Sequence, residues 1–135
     1  MALGWVLDKS AAVRSHDPAV RRELDALAGR LYLCPIGLLE RLYSARSAGE
    51  YDGMNVALHE DYPDVACPDD IFKRAQLLQR DLAHHRGLWH RISIPDLLIA
   101  ETALFHGMGV VHVDGDYERI AQVRPLQTRP LTPSR

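Results

Sequence analysis

Short, continuously apolar runs alternate along the chain with longer stretches in which apolar residues recur every three or four positions. The first pattern suits strands buried on both faces, the second amphipathic helices. GWVLD (residues 4–8) reads as a strand ending at Asp8. HDPAVRRELDALAG (16–29) reads as a helix with Asp17 as N-cap, Pro18 at the first helical position and Gly29 as stop. RLYLCP is a second strand closed by Pro35, and IGLLERLYSARSAG a helix with Leu38, Leu39 and Leu42 on one side, ending near Gly49. EYDGMNVALHEDY (50–62) admits a further helix before the loop from Pro63 to Pro68. DDIFKRAQLLQRDLAHHRG (69–87) is a long amphipathic helix capped by Asp69 and Asp70. LWHRIS predicts a brief strand, Pro95 to His106 a buried helix, and GVVHV a strand ending at Asp114.

Strands that alternate with helices and lack a polar face predict an α/β fold, its central parallel β-sheet flanked by helices on both faces. The expected division is a domain over residues 1–123 and a Pro-rich C-terminal tail over 124–135, within VRPLQTRPLTPSR, that is irregular. No internal repeat is visible.

Composition narrows the class. At 135 residues one core can stand without staples. Cys34 and Cys67 form neither a C-x-x-C motif nor a secreted disulfide framework. MALGWVLD lacks the regions of a signal peptide, and no run reaches membrane-spanning length, so a soluble, cytoplasmic protein with no membrane association is expected. The formal charge of −2 averages acidic and basic neighbourhoods. It withholds the strong basicity by which nucleic-acid binders usually announce themselves.

Within IPDLLIAETALFHGMGVVHVDGDY (94–117) four acids interrupt an apolar run: Asp96, Glu101, Asp114 and Asp116. Ionised side chains are seldom buried without a partner. Ligands of open α/β sheets bind at the carboxyl ends of the strands, where Asp8 and Asp114 both emerge. Asp96 falls in the first turn of its helix, favoured by the dipole. Glu40 sits on the margin of its helix's apolar face. Four carboxylates can thus converge from four elements, and two like charges about 4 Å apart repel by ~4 kcal/mol at an effective dielectric of ~20. A hard cation, Mg²⁺ or Mn²⁺, offsets such repulsion and suits an all-oxygen donor set.

VLDKSA with Asp8 and Ser10, PIGLLERLYSAR with Glu40, IPDLLIAETAL with Asp96, and VVHVDGDYERI with Asp114 and Asp116 resemble the PIN-domain nucleases, most closely the VapC toxins of bacterial toxin–antitoxin pairs. The resemblance runs from about residue 5 to residue 121. It implies a PIN fold and a metal-dependent endoribonuclease that cuts structured RNA such as tRNA or rRNA. It also implies a homodimer and inhibition by a VapB antitoxin. Residue by residue it assigns metal binding and catalysis to Asp8, Glu40, Asp96 and Asp114. Asp116 becomes a supporting acid and Ser10 a hydrogen-bonding neighbour of the site. Lys9 departs from the small or polar residue usual in the family, and reads either as a phosphate contact or as a solvated side chain.

Other residues keep two readings. Asp116 serves either as a second site acid beside Asp114 or as N-cap of a final helix. Glu101 lies about 140° around the helix from Asp96 and is expected to face another surface. Seven histidines lack H-E-x-x-H or Cys/His spacing, which argues against zinc. Lys73, Arg74, Arg80, Arg86 and Arg91 are either a solvated helix face or RNA contacts. A haloacid-dehalogenase reading of GVVHVDGDY fails because only 19 residues follow Asp116. The remaining alternative is a catalytically silent PIN-like binding module.

Overall fold

The computed structural model describes residues 2–135. Strands β1 (Trp5–Leu7), β2 (Leu31–Tyr32), β3 (Gly109–His112) and β4 (Thr128–Pro130) pair in the order β2-β1-β3-β4, every pair parallel. Parallel neighbours need crossovers. Helices α1 (Lys9–Ala12) and α2 (Pro18–Ala26) connect β1 to β2. Helices α3 (Pro35–Tyr43), α4 (Ala48–Asp61), α5 (Ile71–His85) and α6 (Ile94–Phe105) lead to β3, and α7 (Asp116–Ile120) precedes β4.

Successive strand residues point to opposite faces. Val6 and Val110 pack against Leu78, Leu82, Ile99 and Ile120 of α5, α6 and α7. Leu7, Val111 and Leu31 pack against Ala11, Val20 and Leu24 of α1 and α2. Both faces are therefore covered, as the uninterrupted apolar strands require. Trp5 lies opposite Gly109. A Cβ there would fall 2.5 Å from the indole, so the close pairing of β1 with β3 needs glycine.

The local signals at α2 act as their chemistry dictates. Asp17 accepts from the Ala19 and Val20 amides at 2.9 and 3.1 Å, and Pro18 opens the helix. Elsewhere the outcome differs. Residues 36–49 form one helix only to Tyr43; α4 then starts behind Ser47, whose hydroxyl accepts from the Glu50 amide at 3.0 Å. Ser47 and Glu50 carry the spacing of a capping box, a start signal that marks the break. Asp70 turns to Arg74, 2.6 Å away, and makes no side-chain cap. Leu39, grouped with Leu38 and Leu42, is 64% exposed.

LWHRIS is not a strand. Trp89–Arg91 form a 3₁₀ turn with Arg91 N–H donating to Leu88 O at 3.1 Å. A strand needs a partner, and this segment is held against α5 instead. The tail is not irregular throughout either. Thr128–Pro130 extend the sheet beside β3, Leu126 and Leu131 are buried, and Ser134 N–H donates to Asp17. Pro130 is tolerated because β4 is an edge strand. The division at residue 123 therefore crosses one continuous sheet. Among the described residues, no helix is long and apolar enough to cross a membrane.

Candidate metal centre

Because β1 and β3 run parallel, their carboxyl ends open on the same edge. Asp8 follows β1 immediately. Its amide donates to Val111 O at 3.0 Å, which fixes the backbone at the strand end. Its side chain caps α1, with Oδ2 accepting from the Ser10 amide at 2.9 Å and from Ser10 Oγ at 2.6 Å. Ser10 Oγ in turn accepts from the Val113 amide at 2.8 Å. One hydroxyl thereby ties the exits of β1 and β3 together.

Asp96 enters from α6, where Ser93 caps the helix and accepts from the Asp96 amide at 3.3 Å. Asp114 and Asp116 follow β3, and Asp114 Oδ1 accepts from the Asp116 amide at 3.0 Å, which starts α7. Asp96, Asp114 and Asp116 each offer an oxygen, and these oxygens lie within 4.8 Å of one another. Of its two readings, the N-cap one is not what the structure shows: Gly115 holds that position, and Asp116 is the first residue of α7, with an oxygen among the acids. Asp8 joins through Tyr117, whose hydroxyl donates to Asp8 Oδ1 at 2.6 Å and lies 3.2 Å from Asp96 Oδ1.

Glu40 is set apart by its cation. Lys9 Nζ lies 3.4 Å from Glu40 Oε2. The other oxygen, Oε1, is buried with no hydrogen-bond partner. Lys9, its side chain half exposed, is thus both solvated and paired with Glu40. Arg119 performs a similar service for Asp116, at 2.7 Å. Asp8 and Asp96, only 3% and 6% exposed, and Asp114 between them have no Lys or Arg ion-pair partner among the described residues.

The electrostatics register this imbalance. Burial, then the charge of Asp8 and the neighbouring Asp114, push the Asp96 carboxyl up to about 8. Burial also raises Glu40, opposed by Lys9 and reinforced by Asp8. Burial and both carboxylates raise Tyr117 well above the usual phenol range, so it stays a proton donor. A divalent cation is the group that relieves such a site, and the donor set fits one: several carboxylate oxygens, no thiolate and no imidazole within the three-acid group.

Two contributors escaped the sequence reading. Tyr117 is fully buried, and only its position one residue after the D-G-D acids hinted at it. His112, also buried, accepts the Asp114 amide on Nδ1 at 3.0 Å and meets Glu118 through Nε2 at 3.1 Å. It shapes the loop that carries Asp114 and packs against Tyr117, ring centroids 5.0 Å apart. Glu101 does turn away from the acids, but it is buried and not at a surface. Its Oε2 lies 3.5 Å from Arg124 Nε, outside hydrogen-bond geometry.

Comparison with known proteins agrees with this architecture. The PIN domain family model matches residues 5–123. Ribonuclease VapC17 of Mycobacterium tuberculosis is 55% identical over 124 residues, 90% of each chain. Ribonuclease VapC21 of the same organism is 40% identical over 125 residues, 91% of this chain and 90% of the relative. Among solved structures, VapBC2 from Rickettsia felis, bound to a DNA fragment from its promoter, superposes with a TM-score of 0.74. That match covers 95% of this chain and 98% of the other at 16% identity, which bears on the fold alone. The chain belongs to the PIN domain family.

Proposed function

We propose that this chain is a VapC-type toxin, an endoribonuclease that hydrolyses phosphodiester bonds in structured RNA such as tRNA or rRNA with Mg²⁺ or Mn²⁺. The observation that carries the reading is the cluster of Asp96, Asp114 and Asp116 at the carboxyl edge of the sheet, with buried Asp8 joined to Asp96 through the Tyr117 hydroxyl and no Lys or Arg paired to Asp8, Asp96 or Asp114 among the described residues. Asp8, Glu40, Asp96 and Asp114 are the proposed metal-binding and catalytic acids, with Asp116 and Ser10 in support. A divalent ion held there supplies positive charge that orients and polarises the scissile phosphate and acidifies a water for attack.

The chain's own groups prepare that chemistry. Ser10 and Tyr117 orient Asp8 by donating to different oxygens. His112 fixes the backbone before Asp114 through its accepted amide bond. Asp96 surrenders its proton when a cation replaces it as the compensating charge. The reaction needs no side-chain nucleophile and leaves 5′-phosphate and 3′-hydroxyl ends. Incubation of the purified protein with transfer RNA, with EDTA and then with added Mn²⁺, tests this. Ends carrying a 2′,3′-cyclic phosphate refute hydrolysis, and absence of metal-dependent cleavage favours the silent binding module.

A VapB antitoxin as partner, and a homodimer, complete the reading. Beside Glu40 and Lys9 runs an apolar groove of about 580 Å³ whose lining includes Ile36, Leu39, Tyr43 and Phe72. Leu39, Tyr43 and Phe72 are 64%, 92% and 74% exposed along it, and exposed apolar side chains gathered in one groove mark an interaction site. Apolar side chains of an antitoxin tail suit the groove, and an arginine beyond it suits the acids, since guanidinium pairs bidentately with carboxylate. An antitoxin tail stripped of basic residues that still inhibits fully removes the arginine from this account. Sedimentation of the isolated chain decides the dimer.

A further inference from the structure

An acidic centre repels the substrate it is proposed to cut, so phosphates must be held by cations that the acids have not already consumed. Lys9 is engaged by Glu40. Two arginines that enter no ion pair among the described residues, Arg86 and Arg91, lie at the exit of α5, on a segment that shares a recess with Asp116. There Gly87 and Leu88 reverse the chain, and Leu88 adopts φ +69°, a left-handed conformation that a branched side chain seldom takes. Strain of this kind concentrates where a segment must present particular side chains.

What the turn presents is Trp89. The indole is half-buried and has the Arg86 and Arg119 guanidiniums 6.0 and 5.9 Å from its centroid, with the His85 ring at 5.5 Å. Those arginine distances sit at the outer limit of cation–π contact, about 6 Å, so both guanidiniums are loosely stacked on the ring; Arg119 is held by Asp116 at 2.7 Å, whereas Arg86 has no ion pair among the described residues. Trp89, Arg91 and Arg119 line a recess of about 140 Å³ that Asp116 also lines. Asp116, which contributes an oxygen to the acid cluster, thus forms part of the wall of this recess. Neither Arg86 nor Arg91 enters an ion pair among the described residues.

An aromatic plane interleaved with uncompensated arginines is what an unpaired nucleic-acid strand requires. Bases stack on the ring and the cations track the backbone. We propose that the Arg86–Trp89–Arg91 ledge binds the single-stranded RNA segment next to the scissile phosphate. One unpaired base stacks at Trp89, and the adjoining phosphates pair with Arg86 and Arg91. This rests on the ribonuclease reading and gives its substrate a place to lie. The apolar groove at Glu40 is left to the antitoxin.

The chain has two tryptophans, so Trp5→Phe leaves Trp89 as the sole indole reporter. In EDTA, which keeps RNA intact, a single-stranded oligoribonucleotide of roughly 10 nucleotides is titrated while binding is followed independently by anisotropy. The expected result is quenching of Trp89 that saturates with binding. Arg91→Ala and Arg86→Ala should each lower the salt dependence of affinity by about one counterion. In the cleavage assay with metal, Trp89→Leu should raise KM about tenfold or more, as loss of one stacked base does, with kcat within about threefold. Trp89→Phe should recover most of that loss. Saturated binding without quenching overturns the proposal, as does an unchanged KM in both Trp89→Leu and Arg91→Ala. If Trp89→Leu fails to fold by circular dichroism, the surface variant Arg91→Ala and the quenching decide. A protein that binds and quenches but never cleaves keeps the ledge and loses the ribonuclease reading; one that cleaves without quenching does the reverse.

Discussion

Helix α6 carries two buried acids, and they meet opposite fates. Asp96 faces Asp8 and Asp114, with the Tyr117 hydroxyl, which donates to Asp8, 3.2 Å from its Oδ1. Glu101, on another side of the same helix, faces Arg124, which also reaches Asp81 at 2.8 Å and so ties α5, α6 and the segment after α7 together. Burial raises the pKa of both carboxyls, but Arg124 and Arg74 pull Glu101 back, whereas every neighbouring charge on Asp96 pushes it further. A buried acid with an internal cation is a structural tie. A buried acid among other acids keeps a charge that its own chain does not compensate.

The largest test of that contrast removes charge from the second kind. Asp96→Asn and Asp114→Asn should each lower the cleavage rate by roughly 10³, equivalent to ~4 kcal/mol of lost transition-state stabilisation. Asp96→Asn should at the same time leave the metal-free protein no less stable at pH 8, because it relieves repulsion. Asp116→Asn, with Arg119 already beside it, should fall between these variants and the parent. Calorimetric Mn²⁺ binding and steady-state cleavage are the readouts. Retention of full activity by folded Asp96→Asn ends the metal-centre assignment.

The structural tie should behave in the opposite sense. Arg124→Ala leaves Glu101 buried without its nearest cation and should destabilise the fold by about 3 kcal/mol, the scale for breaking a buried pair. Glu101→Gln should keep the rate within about tenfold. Denaturant melts and the same cleavage assay separate the two. Should Glu101→Gln stay folded yet become as inactive as Asp96→Asn, the division between the two faces of α6 is wrong.

Proton linkage sharpens the comparison. The folded Asp96 carboxyl titrates at about 8 and an unfolded one near 3.9, so between those values the folded state binds more protons. Stability of the metal-free protein should therefore fall as pH rises from about 4 to about 8, then level off. Glu40 and Glu101, also raised, push the same way. Asp96→Asn should flatten most of the slope in thermal melts, and Mn²⁺ should raise Tm more at pH 8 than at pH 6. A slope unchanged by Asp96→Asn assigns the proton to another group.

The smallest effect belongs to the hydroxyl between the acids. Tyr117→Phe keeps the buried ring and deletes one hydrogen bond, worth about 1 to 3 kcal/mol when the acceptor is charged. It should weaken Mn²⁺ binding by about tenfold and lower the stability measured in EDTA by about 1 to 3 kcal/mol. Binding equal to that of the parent would show that Ser10 alone orients Asp8.

Local chemistry made much of this molecule legible from the chain. Continuous apolar runs announced the parallel strands, Asp17 and Pro18 announced α2, and each of the predicted site acids stood at the end of a strand or on a helix that the pattern located. Ser47 and Glu50 were equally local, and their spacing marks the start of α4. LWHRIS misled because six residues with two short apolar groups carry no periodicity that separates a strand from a turn, while the αL conformation at Leu88 and the 3₁₀ turn after it are decided by packing against α5.

Partnership was decided elsewhere. Tyr117 meets Asp8 across 109 positions, and Ser10 meets Val113 across 103. Arg124 lies 23 residues beyond Glu101, and the tail gains its strand only because β3 presents an open edge. Residue type and spacing determine which groups are chemically able and which way each local element turns them, because those depend on neighbours within a few positions. Which buried acid receives a cation from its own chain, and which is left among other acids, depends on contacts that exist only after distant segments have packed.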